Sequence, residues 1–226
     1  GSSKKQRALR TRLLMENNAV ERVETLYGTI VRHAEERPDH EAIIVGGKRL
    51  TYRDLLLRIE ALRGALCETG ASLEGGRVYI TDSKKIDLIV GVIATIGSGG
   101  VAVLAAGGGP AVIGDCRPAW VYAGELPEAA VAGGHRYITP SDVVSEVSAP
   151  GNGYRTAAAT DPAMILYTSG TTSGTRRGAI LTHGILSYTT DYMNDHMEFE
   201  DTVTDYVVSP LNNAYESTPI TTVFRV

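Results

Sequence analysis

Six hydroxyl side chains and two glycines fill the eight positions from Thr168 to Thr175, and Arg176, Arg177 and Gly178 follow directly. These residue types suit a polyphosphate. Gly170 and Gly174 reach positive φ without Cβ strain, so successive backbone N–H groups can turn inward as an anion-binding nest. The hydroxyls of Thr168, Ser169, Thr171, Thr172, Ser173 and Thr175 are short donors that rotate to meet phosphate oxygens. Arg177 adds a forked, permanently charged donor as counter-charge. Surface loops rich in turn formers share this composition, so residue types alone leave both readings open.

Two other nucleotide loops are excluded by spacing. A Walker A loop needs glycine, four residues, then Gly-Lys-Ser or Gly-Lys-Thr, and no such string occurs. Gly97-Ser98-Gly99-Gly100-Val101-Ala102 matches the dinucleotide pattern formally, but it follows a helix and precedes a strand, the reverse of the required order. Small residues at a tight crossing account for it instead. His33, His40, His135 and His196 show no ligand spacing, and no metal site is read from them. His183, after Thr182, reads as a packing residue at a helix start.

The elements that must position the loop alternate between helix and strand, the pattern of an α/β fold. Helical spacing of Leu26, Ile30 and Ala34 predicts a helix over residues 25–37, closed by Pro38. Short strands at 42–45 and 48–50 flank Gly46-Gly47, a dipeptide that tolerates the positive φ of a hairpin turn. Thr51-Tyr52-Arg53-Asp54 has the form of a capping box for a helix running to about Gly70. Strands at 77–81, 101–105, 119–123, 136–138, 163–167 and 203–208 are expected, with helices over 84–96 and 182–196. The nearly all-apolar run at 101–105 fits a strand covered on both faces. Polar residues 148–159 suggest a subdomain boundary. We therefore expect three parts: 1–24, a tag remnant (Gly1-Ser2-Ser3) and extension; 25–150, a first α/β subdomain; and 151–226, the start of a second.

A chain of 226 residues with 43 % apolar residues can bury a sizeable core, and its net charge of −4 gives no reason to expect a nucleic-acid partner. The basic run from Lys4 to Arg12 reads as a solvated extension rather than a membrane-surface helix. No apolar stretch reaches the ~18 residues a membrane span needs, and none reads as a secretory leader. Cys67 and Cys116 read as reduced thiols of a cytoplasmic protein.

Tyr167-Thr168-Ser169-Gly170-Thr171-Thr172, a short basic stretch, then Gly178-Ala179-Ile180-Leu181-Thr182-His183-Gly184 resembles the phosphate-loop motif of the adenylate-forming, AMP-binding superfamily. That superfamily includes acyl- and aryl-CoA synthetases, acyl-AMP ligases and peptide-synthetase adenylation domains. Leu50-Thr51-Tyr52-Arg53-Asp54-Leu55 resembles its early Leu-Thr-Tyr-x-Glu-Leu element, and residues 93–103 resemble the helix-to-strand passage that follows. The resemblance runs unevenly from about Thr25 to the end of the chain. It implies the N-terminal part of the layered α/β large domain of these enzymes.

Three departures stand out. The family loop reads Thr-Ser-Gly-Thr-Thr-Gly-x-Pro-Lys-Gly, whereas Ser173 is inserted here, Arg176 replaces the proline and Arg177 the lysine. Residues 105–119 look short where the family has a proline-containing loop and another helix. The chain also stops at Val226, before the family's Tyr-Gly-x-Thr-Glu element, ribose-binding aspartate and C-terminal catalytic lysine. Asp205 and Glu216 do not stand in for these. The expectation is an N-terminal portion that does not catalyse alone.

What the resemblance implies for a complete enzyme is attack by a carboxylic acid on Mg2+-bound ATP, giving an acyl-adenylate and pyrophosphate. Transfer to a thiol of CoA or of an acyl or peptidyl carrier protein would follow. Thr168, Ser169, Gly170, Thr171, Thr172, Ser173, Gly174, Thr175 and Arg177 would hold the phosphates. Asn213 and Tyr215 are the pocket candidates for the acid, although a capped strand end with a packed tyrosine explains them equally well. A non-catalytic scaffold that keeps the fold, and one half of a split enzyme, are the alternatives.

Overall fold

The computed structural model describes residues 21–45, 47–67, 73–81, 84–105, 109–125, 133–143, 153–167 and 177–197, with side chains as far as 192. Along the chain these form β1 (Arg22–Glu24), α1 (Leu26–Glu36), β2 (Glu41–Val45), β3 (Lys48–Thr51), α2 (Tyr52–Leu66) and β4 (Arg77–Thr81). Then come α3 (Lys85–Gly97), β5 (Val101–Ala105), α4 (Gly109–Cys116), β6 (Trp120–Ala123) and β7 (Arg136–Ile138). The described elements end with β8 (Thr156–Ala158), β9 (Pro162–Tyr167), β10 (Gly178–Thr182) and α5 (His183–Met197). The expected strand over 203–208 lies outside the described residues, as do 1–20.

Six strands make the main sheet, in the order β10-β9-β5-β4-β6-β7. All neighbours are parallel except the β9–β10 hairpin at one edge. The α/β architecture expected from the sequence is borne out. Two antiparallel ribbons, β2–β3 and β1–β8, lie outside that sheet.

Strand alternation distributes the core. Val78, Ile80, Ala102, Leu104, Trp120, Tyr122, Met164 and Leu166 belong to one large cluster with α1, α2 and α3. Their neighbours Tyr79, Val103, Ala105, Val121, Ala123 and Tyr167 form a second cluster with Val112, Ile113 and Cys116 of α4. Side chains two residues apart share a face of a strand, so each strand feeds both layers. Helix α3 is buried from Leu88 to Gly97, as its nearly continuous apolar sequence requires.

Local signals account for the helix starts. Thr51 Oγ1 accepts from the Asp54 N–H at 3.1 Å, and Asp54 Oδ2 accepts from the Thr51 N–H at 3.1 Å, completing the expected capping box. Gly47 adopts φ +78° at the β2–β3 turn. The 97–100 glycines sit at a crowded helix-to-strand crossing: a Cβ on Gly97 would come within 2.6 Å of the Tyr27 ring, and one on Gly100 within 2.9 Å of the Gly76 carbonyl oxygen. Helix α4 occupies the region that looks short in sequence. Pro110 sits in its first turn, where a missing N–H costs nothing, and Val112, Ile113 and Cys116 recur at helical spacing on its buried side.

Close approach joins α1 to the chain that leads into β8. A Cβ on Gly28 would lie 2.3 Å from the Arg155 carbonyl oxygen, which already accepts the Thr25 N–H at 3.0 Å. Alanine in a helix interior normally gains about 1 kcal/mol over glycine. Here overpacking against backbone, about 1–3 kcal/mol, outweighs that gain. We expect Gly28→Ala to lower the urea midpoint of unfolding; a higher midpoint would mean the two segments do not touch.

Candidate functional site

Parallel strands β4, β5, β6 and β9 all point their carboxyl ends at the same edge of the sheet, where open α/β sheets place ligands. At that edge Ala105, the last residue of β5, is in register with Tyr167, the last of β9. Tyr167 is in turn paired with Gly178 on β10. Residues 168–177 thus close a hairpin whose two roots are directly opposite partners, about 5 Å apart at Cα.

Thr168, Ser169, Gly170, Thr171, Thr172, Ser173, Gly174 and Thr175 lie outside the described residues, as do Asn213 and Tyr215. Arg177 is described: it is exposed at the β10 root of the loop, with no ion-pair or hydrogen-bond partner among the described residues.

The loop roots are built on contacts that the sequence does not reveal. Tyr167 is 6 % exposed, and its hydroxyl donates to Asp115 Oδ2 near the end of α4. Burial foremost, with that bond second, raises the Tyr167 pKa and keeps the phenol protonated. Arg77 Nη1 donates to the Cys116 carbonyl at 2.7 Å, tying the end of α4 to the start of β4. Burial pushes the Cys116 thiol up to about 11, with Arg77 drawing it down and Asp115 raising it, so it remains a neutral thiol at neutral pH. The helical spacing of Val112, Ile113 and Cys116 behind Pro110 is the sequence signal that exposes this helix.

His183 is a buried residue at the start of α5, 7 % exposed, and its N–H donates to the Asp161 carbonyl at 3.0 Å. Burial lowers its pKa below the usual 6.5, against an opposing pull from Asp161. Because the folded state prefers the neutral ring, the unfolded state binds the proton more readily. Stability from this residue is intact above the unfolded value and is lost as pH falls from there through the lower folded value. We expect His183→Gln to lose less stability than the unsubstituted chain between about pH 7.5 and about pH 5 in urea denaturation. Parallel losses would show that the ring takes up its proton as readily in the fold as in the unfolded chain.

A separate cleft of about 540 Å³ is lined by Leu50, Asp54, Leu57 and Arg58, with Asp87, Tyr122 and Val143 among the residues opposite. It opens beside β6 and α2, three strands from β9, or roughly 14 Å at ordinary strand spacing. Among the described residues no group of three or more His, Cys, Asp or Glu could hold a metal ion, and no helix is long and apolar enough to cross a membrane.

The described residues form a mainly parallel α/β sheet with the β9–β10 hairpin at one edge, and comparison with known proteins narrows that class. No protein-family model matches the chain. Tyrocidine synthase 2 of Brevibacillus parabrevis is 29 % identical over 194 residues, which cover 83 % of this chain and 5 % of that protein. The hybrid PKS-NRPS synthetase thnA of Trichoderma harzianum is 35 % identical over 174 residues, 71 % of this chain and 4 % of that protein. The chain therefore spans about a twentieth of the length of these curated relatives. Among solved structures, o-succinylbenzoate CoA synthetase of Bacillus subtilis in complex with AMP superposes with a TM-score of 0.79 at 14 % identity, over 91 % of this chain and 54 % of that one. The same enzyme with ATP and magnesium gives 0.77 at 13 % identity, over 90 % of this chain and 55 % of that one. By its relatives and its fold the chain is similar to the adenylate-forming (AMP-binding) superfamily, and it has the fold of the N-terminal part of those enzymes.

Proposed function

We propose that this chain binds the phosphates of ATP through residues 168–177 and serves the activation of a carboxylic acid as its acyl-adenylate. The observation that carries the reading is the loop's composition between paired roots Tyr167 and Gly178 at the carboxyl edge of the sheet. In the first step a carboxylate oxygen attacks the α-phosphorus, the bond to the β-phosphate oxygen breaks, and pyrophosphate departs. Thr168, Ser169, Thr171, Thr172, Ser173 and Thr175 donate hydroxyl hydrogen bonds to the β- and γ-phosphates, while Gly170 and Gly174 turn backbone N–H groups toward them. Arg177 offsets charge on the departing pyrophosphate. This is positioning and electrostatic stabilisation without covalent participation.

Magnesium bound to the phosphates would add charge neutralisation, and such an ion needs few protein ligands. In the second step a thiol of CoA or of a carrier protein attacks the acyl carbonyl and AMP leaves. Asn213 and Tyr215 are proposed to line the acid pocket. The unpaired thiols Cys67 and Cys116 suit a cytoplasmic setting.

Two measurements test the reading. This chain should bind ATP or pyrophosphate in calorimetric titration. The complete natural protein should exchange radiolabelled pyrophosphate into ATP in the presence of the right acid from a panel. A natively folded chain with no phosphate affinity, together with no exchange in the complete protein, would replace this reading with a non-catalytic scaffold.

A further inference from the structure

The phosphate loop needs more than donors: its two roots must be held at a fixed separation and angle. Pairing of Tyr167 with Gly178 sets the separation. What sets the angle is the Tyr167 side chain. Its ring packs into the cluster of Tyr79, Val103, Ala105, Ile113 and Cys116. The same ring reaches across to the opposite root, where a Cβ on Gly178 would lie 3.2 Å from Tyr167 Cζ and 2.8 Å from Ile165 Cγ2. Glycine at 178 is therefore what lets the ring lie along β10. The hydroxyl at the far end of the ring finds Asp115, 52 residues away in sequence.

We propose that Asp115 is a positioning residue for the phosphate loop: its carboxylate holds the Tyr167 hydroxyl, and through that ring fixes both roots, Tyr167 and Gly178. Several features make Asp115 a firm anchor. Helix α4 is seated by Val112, Ile113 and Cys116, buried to 3 % exposure or less. Its last turn is closed by the Arg117 N–H donating to the Ile113 carbonyl at 2.9 Å and by Arg77 holding the Cys116 carbonyl. A protonated phenol donating to a carboxylate is a charge-assisted bond, stronger than a neutral pair. Arg117 itself has φ +45°, so the chain reverses sharply after Cys116 and α4 cannot extend past its anchor.

The inference rests on the proposed function for its consequence, ATP affinity, but the latch is visible without any ligand. Hydrogen exchange on the free chain is therefore measured alongside ATP titration for Tyr167→Phe, Asp115→Ala, Asp115→Asn and Tyr167→Phe/Asp115→Ala. With the latch cut, amides of residues 165–167 and 178–180 should exchange about tenfold faster while β4 and β6 keep their protection. Asp115→Asn, which still offers an acceptor oxygen, should restore most of the protection that Asp115→Ala removes. The double variant should be no faster than either single one, because both cut the same bond. ATP affinity should fall by about three- to tenfold in Tyr167→Phe and in Asp115→Ala, and Asp115→Asn should retain most of the affinity that Asp115→Ala loses.

Unchanged exchange at both roots in Tyr167→Phe overturns the latch. So does acceleration spread over the whole sheet, which would make Tyr167 a core residue only. If the exchange pattern holds but the unsubstituted chain binds no ATP, the latch stands as an anchor of the hairpin and the proposed function fails.

Discussion

With valine at both Thr171 and Thr172, ATP affinity is expected to fall by about a hundredfold. Valine has nearly the shape of threonine, so the substitution removes two hydroxyls and little else. A hydrogen bond to a charged group contributes about 1.5–3 kcal/mol, and leaving a phosphate oxygen unserved in the site costs more than losing a neutral pair. Two such bonds are not fully additive, because the loop and the phosphates can readjust around one loss. A combined loss of about 3 kcal/mol is a reasonable centre, and each 1.4 kcal/mol is tenfold in affinity. Calorimetric titration of ATP reads the effect, with far-UV circular dichroism as the folding control. Affinity within about twofold of the unsubstituted chain would remove these hydroxyls from the phosphate site.

A second large effect concerns the interior rather than the ligand. Glu60 and Arg63 form an ion pair on α2, with Arg63 Nη1 donating to the two Glu60 oxygens at 2.8 Å and 2.7 Å. Their side chains are 4 % and 11 % exposed. The Arg63 guanidinium also lies 4.7 Å from the Tyr27 ring centroid and donates to the Tyr27 hydroxyl at 3.1 Å. Burial foremost raises the Tyr27 pKa, which keeps that phenol neutral beside the pair. Surrounding glycines leave no room for rearrangement: a Cβ on Gly153 would sit 2.4 Å from Tyr27 Cε1 and 2.8 Å from Arg63 Cζ.

Glu60→Ala therefore strands a buried guanidinium. Removing one partner of such a pair costs about 3–5 kcal/mol, much of a small domain's stability. Replacing both by apolar residues of similar volume removes the charge along with its partner. We expect Glu60→Leu/Arg63→Met to recover most of the loss in urea denaturation at neutral pH. A Glu60→Ala variant within about 0.5 kcal/mol of the unsubstituted chain would show that water reaches this cluster. The exposed Arg155–Glu35 pair, at 2.7 Å, gives the contrast, since such surface pairs contribute about 0–1 kcal/mol.

How far the fold could be read in advance depended on the range of each interaction. The Thr51–Asp54 capping box spans four residues and carries its own chemistry, so it is legible in the sequence and present in the fold. Strands β4, β5, β6 and β9 are apolar runs bounded by turn residues, and they form where expected. Strand β10 is not expected from the sequence, where residues 178–182 read only as the end of the loop motif. Its first three residues are exposed, so no inside–outside alternation marks it, and it becomes a strand by pairing with β9 at the sheet edge. Helix α4 was not expected because a glycine run precedes it and only eight residues form it. Strand β1 is three residues long and owes its existence to β8, 134 positions away between Arg22 and Thr156.

By itself the sequence determined the α/β alternation, the helix caps and the chemical character of residues 168–177, because each is set by the residue types within a short window. Only the tertiary structure decided the strand order, the pairing of Tyr167 with Gly178, and the meeting of Asp115 with the Tyr167 hydroxyl. Such contacts join segments far apart in the chain, and their stability comes from burial shared among several elements. No local window of residues carries that information.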